Sequence, residues 1–515
     1  MSETREYIVS LKRGVDYDAF WNQIENASAD DGFVPSRRVD IVNNRDGSLR
    51  MCHYALTDAE AAQLKNDPRV YDVEIPPEQR EDIFMQRRAT QTSDFTKTAS
   101  DTGSYVNWGL RRMIAESNPY SGNNVTGGYT YTLDGSGVDI VIQDSGIQAD
   151  HPEFQDSQGN SRVQQIDWYA ASGVAGTMPS NFYTDYDGHA THVAGIAAGK
   201  TYGWAKGARI YAQKLDGLEG TSDPGNGIAV SQAFDLIKLW HRNKTIDPST
   251  GVKRPTIVNM SWGYFATYTS ITSVNYRGTS YAVNTPAYMW NNYGIVPATN
   301  GLVYFTNTRI SSVDVDIQEL IDEGVHVVIA AGNNYHKIDV PTGLDYNNYF
   351  VSGSSTLYYH RGSSPFDDEA LIVGNIDSAV HSGGLEQKAE SSETGPGVNI
   401  WAPGTDIMSA SSTNDEFASP AQAYYLDPNY KQVNISGTSM AAPQVAGLSC
   451  LYLQINPDAS PAVLRNWLQS QGKQNQIYST GQTSDYTNLR SLQGSTNVFA
   501  FNPFNSPIQL RISGE

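Results

Sequence analysis

Four short apolar runs set the terms on which this chain can fold. They occupy residues 138–143, 208–214, 256–260 and 325–330, and helical patterns at 190–199, 226–242, 314–323 and 440–455 lie between or after them. Strands buried on both faces lose the polar alternation of surface strands, and strands separated by helices pair in parallel. The pattern therefore predicts an α/β domain with a mostly parallel sheet covered on both faces. In such sheets function gathers at the carboxyl ends of the strands.

A different pattern precedes this one. Residues 7–12, 37–42, 49–56 and 69–75 read as strands, and 16–28 and 57–66 as helices, the second opened by a Thr57-x-x-Glu60 capping box. The order βαββαβ describes a small ferredoxin-like α+β module. From Pro76 to about Val106 the sequence turns polar and aperiodic, with Arg80, Arg87 and Arg88 among Gln, Thr, Ser and Asp, which reads as a linker.

A chain of 515 residues with 39% hydrophobic content can bury a large core in more than one domain. Its 35 Lys and Arg against 55 Asp and Glu give a net charge of −20, which argues against nucleic acid or an anionic membrane as the main partner. No window resembles a membrane span, and the stretch from Met1 to Lys12 has no long apolar run after its charges. The expectation is a protein that works inside the cell, or in a particle assembled there, rather than one that is secreted. Cys52 and Cys450 fall in different predicted domains and are expected to be free thiols.

Five places carry candidate chemistry. The first apolar run ends at Asp144-Ser145-Gly146, where a carboxylate can orient an imidazole, although a strand-end Asp is also an ordinary turn residue. Asp187-Gly188-His189-Ala190-Thr191-His192 puts two histidines three apart at a helix start. They read either as a metal pair lacking a third ligand or as a base, His189, with a structural neighbour, His192. Ser261-Trp262-Gly263 ends the third run. Ala330-Ala331-Gly332-Asn333 ends the fourth, where an amide N–H suits an oxyanion. Finally, Gly437-Thr438-Ser439-Met440-Ala441-Ala442-Pro443 turns an extended stretch into a helix of small residues. Ser439 lies where free N–H groups and the helix dipole favour negative charge. A Gly-x-Ser corner alone is equally a turn or a cap.

In this order the five motifs resemble the subtilisin-like serine proteases, over about residues 105–470, and the loop 201–208 is similar to the proteinase K branch. Residues 5–76, with Asp67-Pro68-Arg69-Val70, resemble the inhibitor-like pro-domains of those enzymes. The resemblance implies a subtilisin-like three-layer fold and a serine endopeptidase. Ser439 would be the nucleophile, His189 the general base, Asp144 the group that fixes the imidazole, and Asn333 with the Ser439 N–H the oxyanion donors. It also implies that Ser261, Trp262, Gly263 and Tyr264 pair with an extended peptide, while Ala330, Ala331 and Gly332 wall the pocket for the residue before the cut. The small walls point to a roomy apolar pocket, with Tyr264 narrowing its entrance. No cofactor is required for the chemistry and no catalytic metal is expected; a structural calcium at Asp377 is the one cation site the branch suggests.

The resulting organisation is a pro-domain at 1–79, a linker with an autoprocessing site at 80–105 and a catalytic domain at 106–473. Tyr-rich insertions lie near 264–312 and 334–370, and a C-terminal arm at 474–515 offers attachment to a larger assembly. The cut is sought first near Ile83-Phe84-Met85. Partners are protein or extended peptide substrates and the chain's own pro-domain, with no nucleic acid and no membrane. Ala190 and Gln444 depart from the commonest motif pattern without removing a catalytic group. The rival reading is a catalytically silent structural or assembly protein that retains the fold.

Overall fold

The computed structural model describes residues 4–27, 32–80, 82–87, 107–116, 131–218, 227–297, 303–416 and 421–505, with 220, 222, 223 and 225. The greater part of the expected linker, including Arg88, and the end of the expected arm lie outside them.

The N-terminal module runs β1 (Arg5–Leu11), α1 (Tyr17–Asn26), β2 (Asp40–Asn43), β3 (Met51–Leu56), α2 (Asp58–Leu64) and β4 (Val70–Glu74). Its strands form one antiparallel sheet in the order β2-β3-β1-β4. Asp16 caps α1, and the Thr57–Glu60 capping box closes on both sides as its sequence predicts. β3 starts two residues later than expected because Arg50 is drawn into a turn, its guanidinium donating to the Leu11 carbonyl. A further strand, β5 (Phe84–Arg87), follows within the expected linker.

After α3 (Trp108–Arg112) come β6 (Asp139–Asp144), β7 (Val163–Gln164), α4 (Trp168–Ser172), α5 (His189–Ala198), β8 (Arg209–Lys214), α6 (Val230–Asn243) and β9 (Thr256–Met260). β10 (Trp262–Tyr268) leads into β11 (Ser273–Tyr276), β12 (Thr279–Tyr281), α7 (Pro286–Tyr293), β13 (Tyr304–Asn307), α8 (Ser311–Asp322) and β14 (His326–Ala330). β15 (Tyr349–Ser352), β16 (Ser355–Tyr358), β17 (Leu371–Ile376), β18 (Ile400–Pro403), β19 (Ile407–Ser411), β20 (Gln422–Ala423) and β21 (Lys431–Ile435) follow. The described chain closes with α9 (Thr438–Ile455), α10 (Pro461–Gln471), β22 (Lys473–Gln474) and β23 (Val498–Phe499).

The four apolar runs become β6, β8, β9 and β14, at the centre of a nine-stranded sheet ordered β22-β23-β18-β17-β14-β9-β6-β8-β7. Every pairing in it is parallel except that of β22 with β23. α5 and α9 pack on each other and along the central strands, while α4, α6 and α8 form a second helical group. The core is continuous across both, from Ile140 and Val258 to Val193 and Leu448. β22 and β23 bring the beginning of the expected arm into the sheet, and Phe504 stacks on Trp467 at 5.3 Å.

The two Tyr-rich insertions, far apart in sequence, build one structure. β11 of the first pairs with β15 of the second in a sheet ordered β12-β11-β15-β16, over a separate core of Val274, Met289, Tyr293, Phe350 and Tyr359.

The N-terminal module docks on α6 and α8 largely through charge. Arg45, wholly buried, donates to Asp235 at 2.6 Å and to Asp316 at 2.9 Å, and Lys238 bonds Asp235, Asp316 and Glu319 in the same cluster. Glu74 reaches the bare start of α8, accepting from the N–H groups of Ser311 at 3.2 Å and Ser312 at 2.5 Å. This cap starts α8 three residues ahead of its sequence pattern, because it comes from another part of the chain. Burial first, then neighbouring Asp72, pushes the Glu74 carboxyl up to about 7.

Two outcomes are expected. Arg45→Ala leaves buried carboxylates short of a cation and should lower the unfolding free energy of the docked N-terminal module by about 3–5 kcal/mol in urea titration. Because the docked Glu74 carboxyl lies above its ordinary value, its contribution is complete below about pH 4.5 and fades as pH rises through about 7. Urea titrations from pH 4 to 8 should show this slope in the parent chain and lose it in Glu74→Gln.

Candidate functional site

The strand ends predicted to carry chemistry converge at one end of the sheet. Asp144 is the last residue of β6, and a left-handed Gly188, at φ 93°, turns the chain so that His189 opens α5 beside it. The His189 imidazole donates from Nδ1 to Asp144, with the oxygens at 2.8 and 3.0 Å. Both residues are buried, and Nε2 of His189 has no hydrogen-bond partner among the described residues. The imidazole is thus anchored on one side and open on the other.

A residue not singled out from the sequence fixes this arrangement. Asp185, fully buried, accepts from the hydroxyls of Ser145 (3.0 Å) and Thr191 (2.6 Å) and from the N–H groups of Asp187, Gly188 and Thr191. Ser145 in turn accepts from the N–H of Ala190. Asp185 therefore ties the start of α5 to the end of β6. Burial pushes its carboxyl above the ordinary range despite these donors. The only sequence signal was an Asp two positions before Asp187-Gly188-His189, which no periodicity marks.

Ser439 is the second residue of α9, on the helix end that faces β9 and β14. Pro443 has no N–H to give the Ser439 carbonyl, and the Ser261 hydroxyl fills that place at 3.2 Å. In return the Ser439 hydroxyl donates to the Ser261 carbonyl at 3.0 Å, rather than to His189. Asn333 lies alongside. Its Oδ1 accepts from the N–H (2.9 Å) and hydroxyl (3.1 Å) of Thr438, which turns its Nδ2 away, and that atom is buried with no partner among the described residues. A buried, unpartnered amide donor is costly unless it serves an acceptor that arrives later.

The motif departures are absorbed. Ala190 sits in regular helix, and Gln444 accepts from Trp204 at 2.7 Å while exchanging hydrogen bonds with Asn107 in both directions. His192 donates from Nε2 to the carbonyls of Ile407 and Val433, both at 3.0 Å, and burial pushes its pKa down to about 3. This is the structural role of the two open readings. Asp377 is paired with Arg490 and belongs to no cluster of three or more His, Cys, Asp or Glu side chains among the described residues.

The edge expected to take a substrate, β10, is occupied by the chain itself. β5 pairs antiparallel with β10, with Arg87 opposite Trp262, Gln86 opposite Gly263, Met85 opposite Tyr264 and Phe84 opposite Phe265. On its other edge β10 pairs with β13, from the first Tyr-rich insertion. Between Gly263–Phe265 and the Gly332–Asn334 wall lies a pocket, which Ala330 and Ala331 only back from the core. Of the small walls expected, only Gly332 lines the pocket; Tyr264 and Phe265 give it aromatic surface, and Asn307 of β13, Ser363 and Glu393 give it a polar lining where an apolar one was expected. Gly332, at φ 123°, lies so close to Glu393 that a methyl group there would stand 2.4 Å from its Oε1.

Comparisons with known proteins give the family of the chain. The subtilase family matches residues 135–494, and the chain belongs to that family of serine proteases. It is 26% identical over 447 residues to the extracellular serine proteinase of Thermus sp. strain Rt41A, covering 87% of this chain and 76% of that one. It is likewise 26% identical over 407 residues to subtilisin-like protease 2 of Pseudogymnoascus destructans, covering 78% and 69%. Among solved structures it resembles fervidolysin of Fervidobacterium pennivorans, a keratinolytic enzyme related to subtilisin. The TM-score is 0.52 at 18% identity, over 96% of this chain and 60% of the other, a likeness of fold.

Asp185→Ala should strand several donors around the His189 turn, lowering the unfolding free energy by about 2–4 kcal/mol in denaturant titration.

Proposed function

We propose that Ser439, His189 and Asp144 form the catalytic triad of this serine endopeptidase, with Asn333 and the Ser439 N–H as its oxyanion hole. One observation carries the reading: an imidazole anchored to a buried carboxylate with its far nitrogen open, on a helix packed against the one at whose start an unpartnered amide flanks a serine. On this reading Ser439 rotates from the Ser261 carbonyl toward Nε2 of His189, which takes its proton as Oγ attacks the scissile carbonyl and later passes it to the leaving amine. Asp144 holds the tautomer and stabilises the imidazolium. The oxyanion receives the Asn333 Nδ2–H.

The chain is also read as a zymogen. Its N-terminal module is the inhibitor, and β5 lies as a substrate strand along β10. The chain direction of β5 runs toward Ser261 and hence toward Ser439, so the first cut belongs just beyond Arg87, a few residues after the Ile83-Phe84-Met85 neighbourhood favoured from sequence. Protein or peptide substrates follow the same edge once β5 leaves.

A fluorophosphonate should label the parent chain at Ser439 stoichiometrically after maturation, and Ser439→Ala should remain both unlabelled and uncut by intact mass. An unlabelled, uncut parent chain would favour the catalytically silent alternative. Asn333→Ala should lower kcat by about 10²–10³, the loss already known for the corresponding amide of subtilisin, with KM little changed.

A further inference from the structure

We infer that the pocket beside Ser439 selects lysine or arginine as the residue before the scissile bond, with Glu393 as the group that sets this preference. The inference rests on the proteolytic reading of the site and names its substrate class.

The pocket is a slot whose two walls are the substrate edge at Gly263–Phe265 and the Gly332–Asn334 turn. Glu393 lines it as well. Its side chain is 1% exposed, its N–H donates to the Gly332 carbonyl at 2.9 Å, and its carboxylate lies directly against the Gly332 Cα. Asn307 donates to Oε2 at 2.8 Å and so holds the carboxylate in place. Ser363 and Asn334 also line the slot and add polar groups beside the carboxylate.

The competing occupant is a large apolar side chain, which small walls alone would favour. A phenyl ring driven into this slot would set hydrocarbon against a buried carboxylate, a costly contact for a charged group. A cation also loses its hydration there, but it recovers a charge-assisted contact with Glu393, and its stem and planar head can lie along the Tyr264 ring. A carboxylate at the floor of such a pocket selects basic residues in proteases of unrelated fold by the same physics.

The sequence of the strand laid in the cleft agrees independently. β5 ends at Arg87 opposite Trp262, one position short of the Ser261 that holds the Ser439 hydroxyl, and the chain continues with a second arginine, Arg88. A cut after either residue leaves arginine at the new carboxyl terminus.

The test uses the full chain, matured until Ser439 reacts with a fluorophosphonate, and fluorogenic peptides that differ only in the residue before the cut. Arginine and lysine peptides should exceed phenylalanine and leucine peptides in kcat/KM by about 100-fold or more. Glu393→Gln should remove most of that preference by slowing the basic peptides alone, leaving the apolar ones within a few-fold. N-terminal sequencing of the matured chain should begin at residue 88 or 89. Equal or better cleavage after phenylalanine or leucine by the parent chain overturns the inference, as does a Glu393→Gln protein that loses all peptides equally. Should that variant fail to fold, the ratio of inhibition by a peptidyl argininal to a peptidyl phenylalaninal on the parent chain decides, a ratio below one overturning the inference. Labelling at Ser439 without basic preference defeats the inference and leaves the protease reading standing; no labelling and no hydrolysis of any peptide defeats both.

Discussion

The close approach of α9 to α5, with both helices packed on the sheet, is the constraint on which the rest depends. Ala441, Ala442, Ala446 and Gly447 give the helix a nearly bare flank, and a methyl group at Gly447 would stand 2.5 Å from the Ala197 carbonyl of α5. Larger residues would lift α9 away, and with it the corner at Gly437-Thr438-Ser439. At that distance Thr438 reaches Asn333 at the end of β14, and Ser439 exchanges hydrogen bonds with Ser261 after β9. Pro443 contributes by what it lacks, since the carbonyl it leaves unbonded is the one that Ser261 recognises.

How much of this was legible in the sequence follows from where each determinant resides. The central strands, the capping box at Thr57 and the small-residue helix are encoded by residues adjacent in the chain, and they fall within a few positions of their expected bounds. The early start of α8 was invisible because its cap, Glu74, comes from the N-terminal module. The union of the two Tyr-rich insertions was equally hidden, because β11 and β15 carry no local mark of each other. Asp144 and His189 stood out by motif order, whereas Asp185, which holds them in register, is one acidic residue among several in a loop. The polar lining of the pocket was hidden for the same reason: Gly332 could be read as one wall, but Glu393 and Asn307 come from parts of the chain distant in sequence and unremarkable in composition.

Charge has a specific use in this acidic chain. Its net charge of −20 leaves the face formed by α6 and α8 rich in carboxylates, and Asp235, Asp316 and Glu319 are buried there only because Arg45 and Lys238 meet them. Burying such groups is worthwhile when the partners are complete and expensive when they are not. The docked arrangement is therefore held by an electrostatic match that a separated body would have to replace with water and ions.

The insertion that ends in β13 gives the molecule a division of labour. Asp144, His189, Asn333 and Ser439 lie on or just after the central strands and on the helices packed on them, whereas Asn307, which bonds Glu393, arrives on β13, a strand that starts with Tyr304 in the small core of the insertions and pairs with β10. A change within the insertion can alter the lining of the pocket without disturbing the packing that aligns Asp144, His189 and Ser439. Recognition in this fold can thus diverge quickly while the geometry beneath it stays still.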